Sequence, residues 1–176
     1  MFNDLPALDE LLDLHRPEIG ADFVAHRNHT YRLVNLCVAL SPDRADSLRQ
    51  LCIAAAFHDM GIWTAGTFDY LSPSVDLAQA YLKRIGKPEW IEEITAAILE
   101  HHKVSRYRGA WTLVEPFRRA DWVDVSMGIR SFGVSRRTIA QVRSTWPGAG
   151  FHRRLVELTL GQWRRHPLNP LPMLRL

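Results

Sequence analysis

Two stretches, ADFVAHRNHTYRLVNLCVAL (residues 21–40) and RADSLRQLCIAAAFHDMG (residues 44–61), decide the fold. In the first, Ala25, His29, Leu33, Leu36 and Leu40 recur at the spacing of one helix face, and Ser41-Pro42-Asp43 breaks the pattern. In the second, Leu48, Leu51, Ala55 and His58 line one side of a helix predicted from Arg44 to Met60, with Gly61 as its C-terminal stop. Working outward, a loop GIWTAGTFDYLSP leads to a helix from about Ser74 to Ile85, followed by Gly86. Pro88 sits where a first-turn proline belongs and opens a helix to about His102 on an Ile91, Ile94, Ile98 stripe. Thr112 with Glu115 three residues on reads as a capping box for a helix reaching Met127. Further helices are predicted at about 135–145 and 150–165, and the proline-rich ending HPLNPLPMLRL is predicted to be extended. No stretch alternates in the manner of a half-buried strand. The expected fold class is all-α, a single helical domain over residues 1–176, with its motif-bearing core at about 21–128.

Composition agrees with one globular unit. The apolar share of 47% can build a core at this length, and 23% charged residues lies far from the disordered regime. The longest unbroken apolar run, Leu51–Phe57, is too short for a membrane span, and the acidic start lacks the pattern of a secretory signal. Cys37 and Cys52 lie in apolar stretches, so a reducing, cytoplasmic setting is expected rather than a disulfide scaffold. The net charge of +3 hides a split: residues 1–102 carry 8 Lys/Arg against 15 Asp/Glu, whereas residues 103–176 carry 14 against 4. A basic C-terminal half favours an anionic partner, a phosphorylated small molecule or a nucleic acid; alternatively, the halves pair their opposite charges within one fold.

Polar residues on apolar faces carry the chemistry. His29 lies between Ala25 and Leu33, His58 follows Leu51 and Ala55, Asp59 follows Cys52 and Ala56, and Asp121 lies between Phe117 and Val125. Buried carboxylates are costly unless they are paired, hydrogen-bonded or bound to a metal. A divalent cation would account for all four groups together, and histidine with carboxylate suits first-row transition ions. Neighbours on a helix point about 100° apart, so His58 and Asp59 can share an ion only above the helix edge.

Taken in order, HRNHTYR around His29, AAAFHDMG around His58 and Asp59, and FRRADWVD around Asp121 resemble the HD-domain superfamily of metal-dependent phosphohydrolases. The resemblance covers roughly residues 21–128. It implies a helical bundle holding one divalent ion (Mn, Fe, Co, Ni or Zn) between His29, His58, Asp59 and Asp121. Binuclear members of that superfamily, including diiron oxygenases, carry a further histidine twenty to thirty residues after the doublet. Here none occurs between His58 and His101, which argues against a second ion and against oxygenase chemistry.

Other residues are assigned around that centre. His101 and His102 end a helix whose Ile94 and Ile98 face inward, and are expected to orient substrate or shuttle a proton. Lys103, Arg106, Arg118 and Arg119 are candidates to clamp a phosphate. Asp69 and Tyr70, in the loop after the doublet, are candidates for general base and substrate contact, and His26 for a hydrogen bond to a ligand. Asp124, one turn after Asp121, is expected to pair with an arginine. Of the aromatics, Trp63 and Phe68 are placed to line a mouth.

The expected activity is hydrolysis of a phosphorylated small molecule, a nucleotide among the possibilities. Two other readings stay open: a hydro-lyase resembling the cyanamide hydratases, which a tight apolar pocket would favour, and a non-catalytic domain braced by its metal. No phosphate-binding glycine-rich loop or dinucleotide fingerprint is present. The apolar tail makes a homodimer reasonable.

Overall fold

The computed structural model describes residues 1–41 and 47–174, and among these every regular element is helical. The first helix, α1 (Pro6–Leu14), starts with proline in its first turn and buries Leu8, Leu11 and Leu12. One further turn, α2 (Arg16–Ile19), and a 3-10 turn (Gly20–Asp22) lead into α3 (Phe23–Leu40). This helix is buried nearly all round, which makes it the axis of the bundle rather than a surface helix. Its polar residues are accordingly partnered. The Tyr31 hydroxyl donates to Asp9 at 2.8 Å, Asn35 bonds the backbone of Phe2 on both sides, and Asn28 donates to the Pro147 carbonyl at 2.8 Å.

The break expected at Pro42-Asp43 and the helix start expected at Arg44 lie outside the described residues. Helix α4 (Leu48–Phe57) runs through Ala54, Ala55 and Ala56, all buried, whose small side chains let α1, α3, α6 and α7 approach it closely. Beyond Phe57 the chain does not stop. His58 N–H still bonds the Ala54 carbonyl, Ile62 N–H bonds that of Asp59, and a short helix α5 (Gly61–Thr64) follows. Gly61 is therefore not a helix stop, as the sequence suggested, but the first residue of α5. It is glycine because a Cβ there would lie 2.5 Å from the Tyr70 carbonyl oxygen. Its N–H donates to Ser74 Oγ at 2.9 Å, tying the doublet's turn to α6 (Leu71–Arg84).

That helix starts three residues earlier than predicted, since Pro73 is tolerated in a first turn where its missing N–H is not needed. It closes at Gly86 with φ 66°, in the left-handed cap conformation. A 3-10 turn (Pro88–Trp90) opens α7 (Ile91–Glu100), with His101 and His102 in the turn beyond. The capping box predicted for α8 (Val114–Val125) is replaced by a cap from a neighbouring helix: Glu93 of α7 accepts the Leu113 N–H at 2.7 Å. Glu115 is instead taken up by Arg118, Arg119 and the Tyr107 N–H. Ser135 caps α9 (Arg136–Thr145) through the Thr138 N–H. Helix α10 (Phe151–Arg165) buries only Phe151 and lies outside the bundle, and the described residues after it, 166–174, are non-helical but turn at 166–169 and 171–174 rather than running extended.

Helices α4, α8 and α9 flank α3, and α7 lies between α4 and α8, so the ends of α4 and α7 and the middles of α3 and α8 meet at one place. No described helix is long and apolar enough to cross a membrane.

Candidate metal centre

At that meeting point the four predicted ligands converge. His29 Nε2 lies 3.0 Å from His58 Nε2, 3.8 Å from an Asp59 oxygen and 3.6 Å from an Asp121 oxygen, and His58 Nε2 lies 3.1 Å from Asp59. All four residues are buried. Their orientation is set from behind. His29 Nδ1 is 2.7 Å from Asp124, which also grips Arg32 through two bonds of 2.6 and 2.8 Å. The Nδ1–H of His58 donates to the Ala55 carbonyl at 2.8 Å. With each Nδ1 carrying the proton, both Nε2 atoms present lone pairs to each other across 3.0 Å, which is repulsive unless a proton or a cation lies between them.

His101 repeats the arrangement. Its Nδ1–H donates to the Ile98 carbonyl at 2.7 Å, and its Nε2, with no hydrogen-bond partner, faces Asp59 Oδ1 at 3.5 Å. Asp59 Oδ1 and Asp121 Oδ2 are likewise buried without hydrogen bonds. Two ligand groups result, His29–His58–Asp59 and Asp59–His101–His102, sharing one carboxylate. Buried donors and acceptors of this kind, aimed at one another and unsatisfied, fit a divalent cation. The histidines assigned from sequence to substrate handling are thus themselves placed to ligate. Sequence spacing missed this because the pair sits in a turn after α7, where helical periodicity no longer says which way a side chain points.

The electrostatics match. Burial drives the His29 imidazole down to about 4, despite Asp124. Burial also opposes a charge on His58, but Asp59 outweighs it and holds that ring at about 8, the proton standing where a cation would. Burial pushes Asp121 well above the usual carboxylate range, while His58 and His101 overcome burial to hold Asp59 well below it. Burial would also raise Asp124, but His29 and Arg32 hold it low, as expected of a permanently charged partner.

His102 turns toward a cavity of about 230 Å³ above the centre, its Nε2 2.6 Å from the Tyr70 hydroxyl and its Nδ1 3.4 Å from Asp121. Asp59 and Asp121 form the floor with it; Trp122, Phe151, Leu155 and Met173 are among the walls. Phe68 lines this cavity as expected, but Trp63 does not: its Nε1–H donates to Asp22 and it packs on His26. Neither ring nitrogen of His26 makes a hydrogen bond, so the support expected for a ligand comes from Asp124 instead.

Several assignments do not reach the centre. Asp69 is exposed and outside the cavity lining. Lys103 pairs with Glu100 at 3.0 Å, Arg118 and Arg119 are held by Glu115, and Arg106 lines a separate open groove. None of the four basic residues proposed to clamp phosphate lines the cavity: Glu100 takes up Lys103, Glu115 takes up Arg118 and Arg119, and Arg106 turns to the other groove. No family model, curated protein or solved structure matches the chain.

Proposed function

We propose that this protein is a metal-dependent enzyme that adds water to a small substrate held over the His29, His58, Asp59 and Asp121 cluster. The observation that carries this reading is the convergence of buried ligand atoms beneath a cavity: Asp59 Oδ1, Asp121 Oδ2 and His101 Nε2 without hydrogen bonds, beside the His29 and His58 Nε2 atoms 3.0 Å apart. A divalent ion held there would acidify water and polarise the bond to be attacked.

The chain's own groups do the rest. Asp124, Ala55 and Ile98 fix which nitrogen of His29, His58 and His101 faces inward, so the site is organised before anything binds. His102, hydrogen-bonded to Tyr70, borders the cavity and is positioned to contact the substrate's reacting end. The apolar walls limit competing water. Release of phosphate from a phosphorylated substrate is the version of this chemistry that the sequence resemblance supports. Addition to an uncharged electrophile, as in a nitrile hydro-lyase, is the version favoured by a cavity that no described lysine or arginine lines.

Elemental analysis after gel filtration tests the centre. The native protein is expected to retain close to a full equivalent of a transition ion, and Asp59→Ala to retain almost none. Equal retention by both would refute the ligand set. Metal-loaded protein assayed against phosphomonoesters and nucleotides on one side, and small nitriles and amides on the other, then separates the two versions.

A further inference from the structure

We infer that the cavity selects a compact, uncharged substrate with an apolar body, and that the segment after α10, with Leu155 of α10, is what selects it. The inference rests on the reading that the cluster is a metal centre and adds the substrate class. Three observations carry it.

The first is charge. Two carboxylates, Asp59 and Asp121, face the position of the ion, so a divalent cation there is balanced and leaves little net attraction for a further anion. Among the described residues, no lysine or arginine lines the cavity. The cations nearest in sequence to its floor are committed: Lys103 to Glu100, and Arg118 and Arg119 to Glu115. Moving a phosphate into such a space would strip its hydration without supplying a counter-charge.

The second is the wall chemistry. Phe151 and Leu155 from α10 and Leu171, Met173 and Leu174 from the C-terminal segment contribute only apolar side chains. The one hydroxyl on this side, that of Thr159, is already donated to the Leu155 carbonyl at 2.8 Å. The polar groups of the lining gather at the centre, where His102 joins the Tyr70 hydroxyl and Asp121, and Asp59 lies beside them. A molecule with a polar head and an apolar body matches that gradient.

The third is size and closure. The cavity, about 230 Å³ and partly open to solvent, has room for a single substituted ring or short branched chain beside the centre. Met173 is almost fully buried against Ile62, Phe68, Tyr70 and Leu71, with Leu171 packed beside it, so the chain is docked over the cavity at these residues.

The test uses one ring with three head groups: benzamide, benzoate and phenyl phosphate. Each is titrated into zinc-loaded full-length protein carrying ¹³C-methyl methionine, with zinc content measured on the same sample. Benzamide is expected to shift the Met173 methyl signal while leaving exposed Met127 unmoved, and to bind at least about tenfold more tightly than phenyl phosphate. Leu155→Arg, which places a cation in the wall, is expected to reverse that order; Leu174→Arg, at a partly exposed position, does the same should the first variant fold poorly. Phenyl phosphate binding as tightly as benzamide, or no ligand moving Met173, overturns the inference while leaving the metal centre standing. Absence of bound zinc with benzamide still preferred overturns the metal reading instead.

Discussion

Asp124 bears more of the site than any ligand does, although it does not face the centre. One carboxylate orients His29 and neutralises buried Arg32, whose remaining guanidinium nitrogen reaches the Trp146 and Pro147 carbonyls. The sequence shows that Asp124 needs a cation, since it falls one turn from Asp121 on the same helix. That the arginine comes from α3, and that the same carboxylate holds a ligand histidine, depends on how α3 and α8 pack. Asp124→Asn keeps the shape but removes the charge, leaving Arg32 buried without its counter-ion, a situation that costs about 3–5 kcal/mol when a buried pair is broken. Metal affinity is expected to fall about 10- to 100-fold through the loosened His29. Competition against a chromophoric chelator reads the affinity and thermal unfolding reads the stability. A variant that keeps native affinity would mean that His29 is held by packing against Phe151, on which it stacks at 4.1 Å, and not by Asp124.

Among the elements, the helices with long apolar stripes were legible and their ends were not. The axis α3 follows from Ala25, His29, Leu33 and Leu36, while α1 escapes because a nine-residue helix offers only Leu8, Leu11 and Leu12 as a pattern. Ends are set by neighbours: Gly61 by the approach of Tyr70, and the start of α8 by a glutamate of another helix. Glu93 also accepts from Gln50 Nε2 at 3.0 Å, so it joins α4, α7 and the entry to α8. Glu93→Ala is expected to cost about 1 kcal/mol, the usual worth of an N-terminal cap, and to lower the melting temperature by about 2–4 °C without changing metal content. Glu115 supplies a pH signature on α8. Burial works against its charge, but Arg118, the Tyr107 N–H and Arg119 hold it at about 2, against 4.5 in the unfolded chain. Its contribution is therefore complete above about pH 4.5 and is lost as pH falls from there toward 2. Acid unfolding followed by circular dichroism should be steeper through that window for the native protein than for Glu115→Gln; identical slopes would show that the arginines are solvated rather than paired.

At the scale of the whole molecule, the charge split does not point where the composition directs attention. Only some of the basic residues of that half turn back on the acidic half, as Arg154 does on Asp22 at 2.8 Å, and among the described residues no lysine or arginine lines the cavity. The ligand set was legible because ionisable residues at apolar positions are unusual wherever they fall; the cavity was not, because its walls are ordinary leucines and aromatics until α10 and the C-terminal segment are laid over them. What the molecule gains from an ion follows from the same geometry. Without one, Asp59, Asp121 and His101 face each other with unsatisfied atoms, yet the leucine-lined packing of α1, α3, α4, α7 and α8 does not pass through them. Chelation should therefore leave a folded, cooperatively melting bundle rather than a denatured chain. Adding zinc at about a thousandfold above its dissociation constant should then stabilise it by about 4 kcal/mol, or very roughly 8–16 °C in melting temperature at this chain length. Asp121→Asn, which removes one of the two charges facing the ion, should shrink that increment while altering the metal-free melt little. Loss of the cooperative melt on chelation would make the metal a structural brace and favour the non-catalytic reading. An unchanged melt on adding zinc would mean that a proton on His58, not a cation, fills the gap between the two histidines.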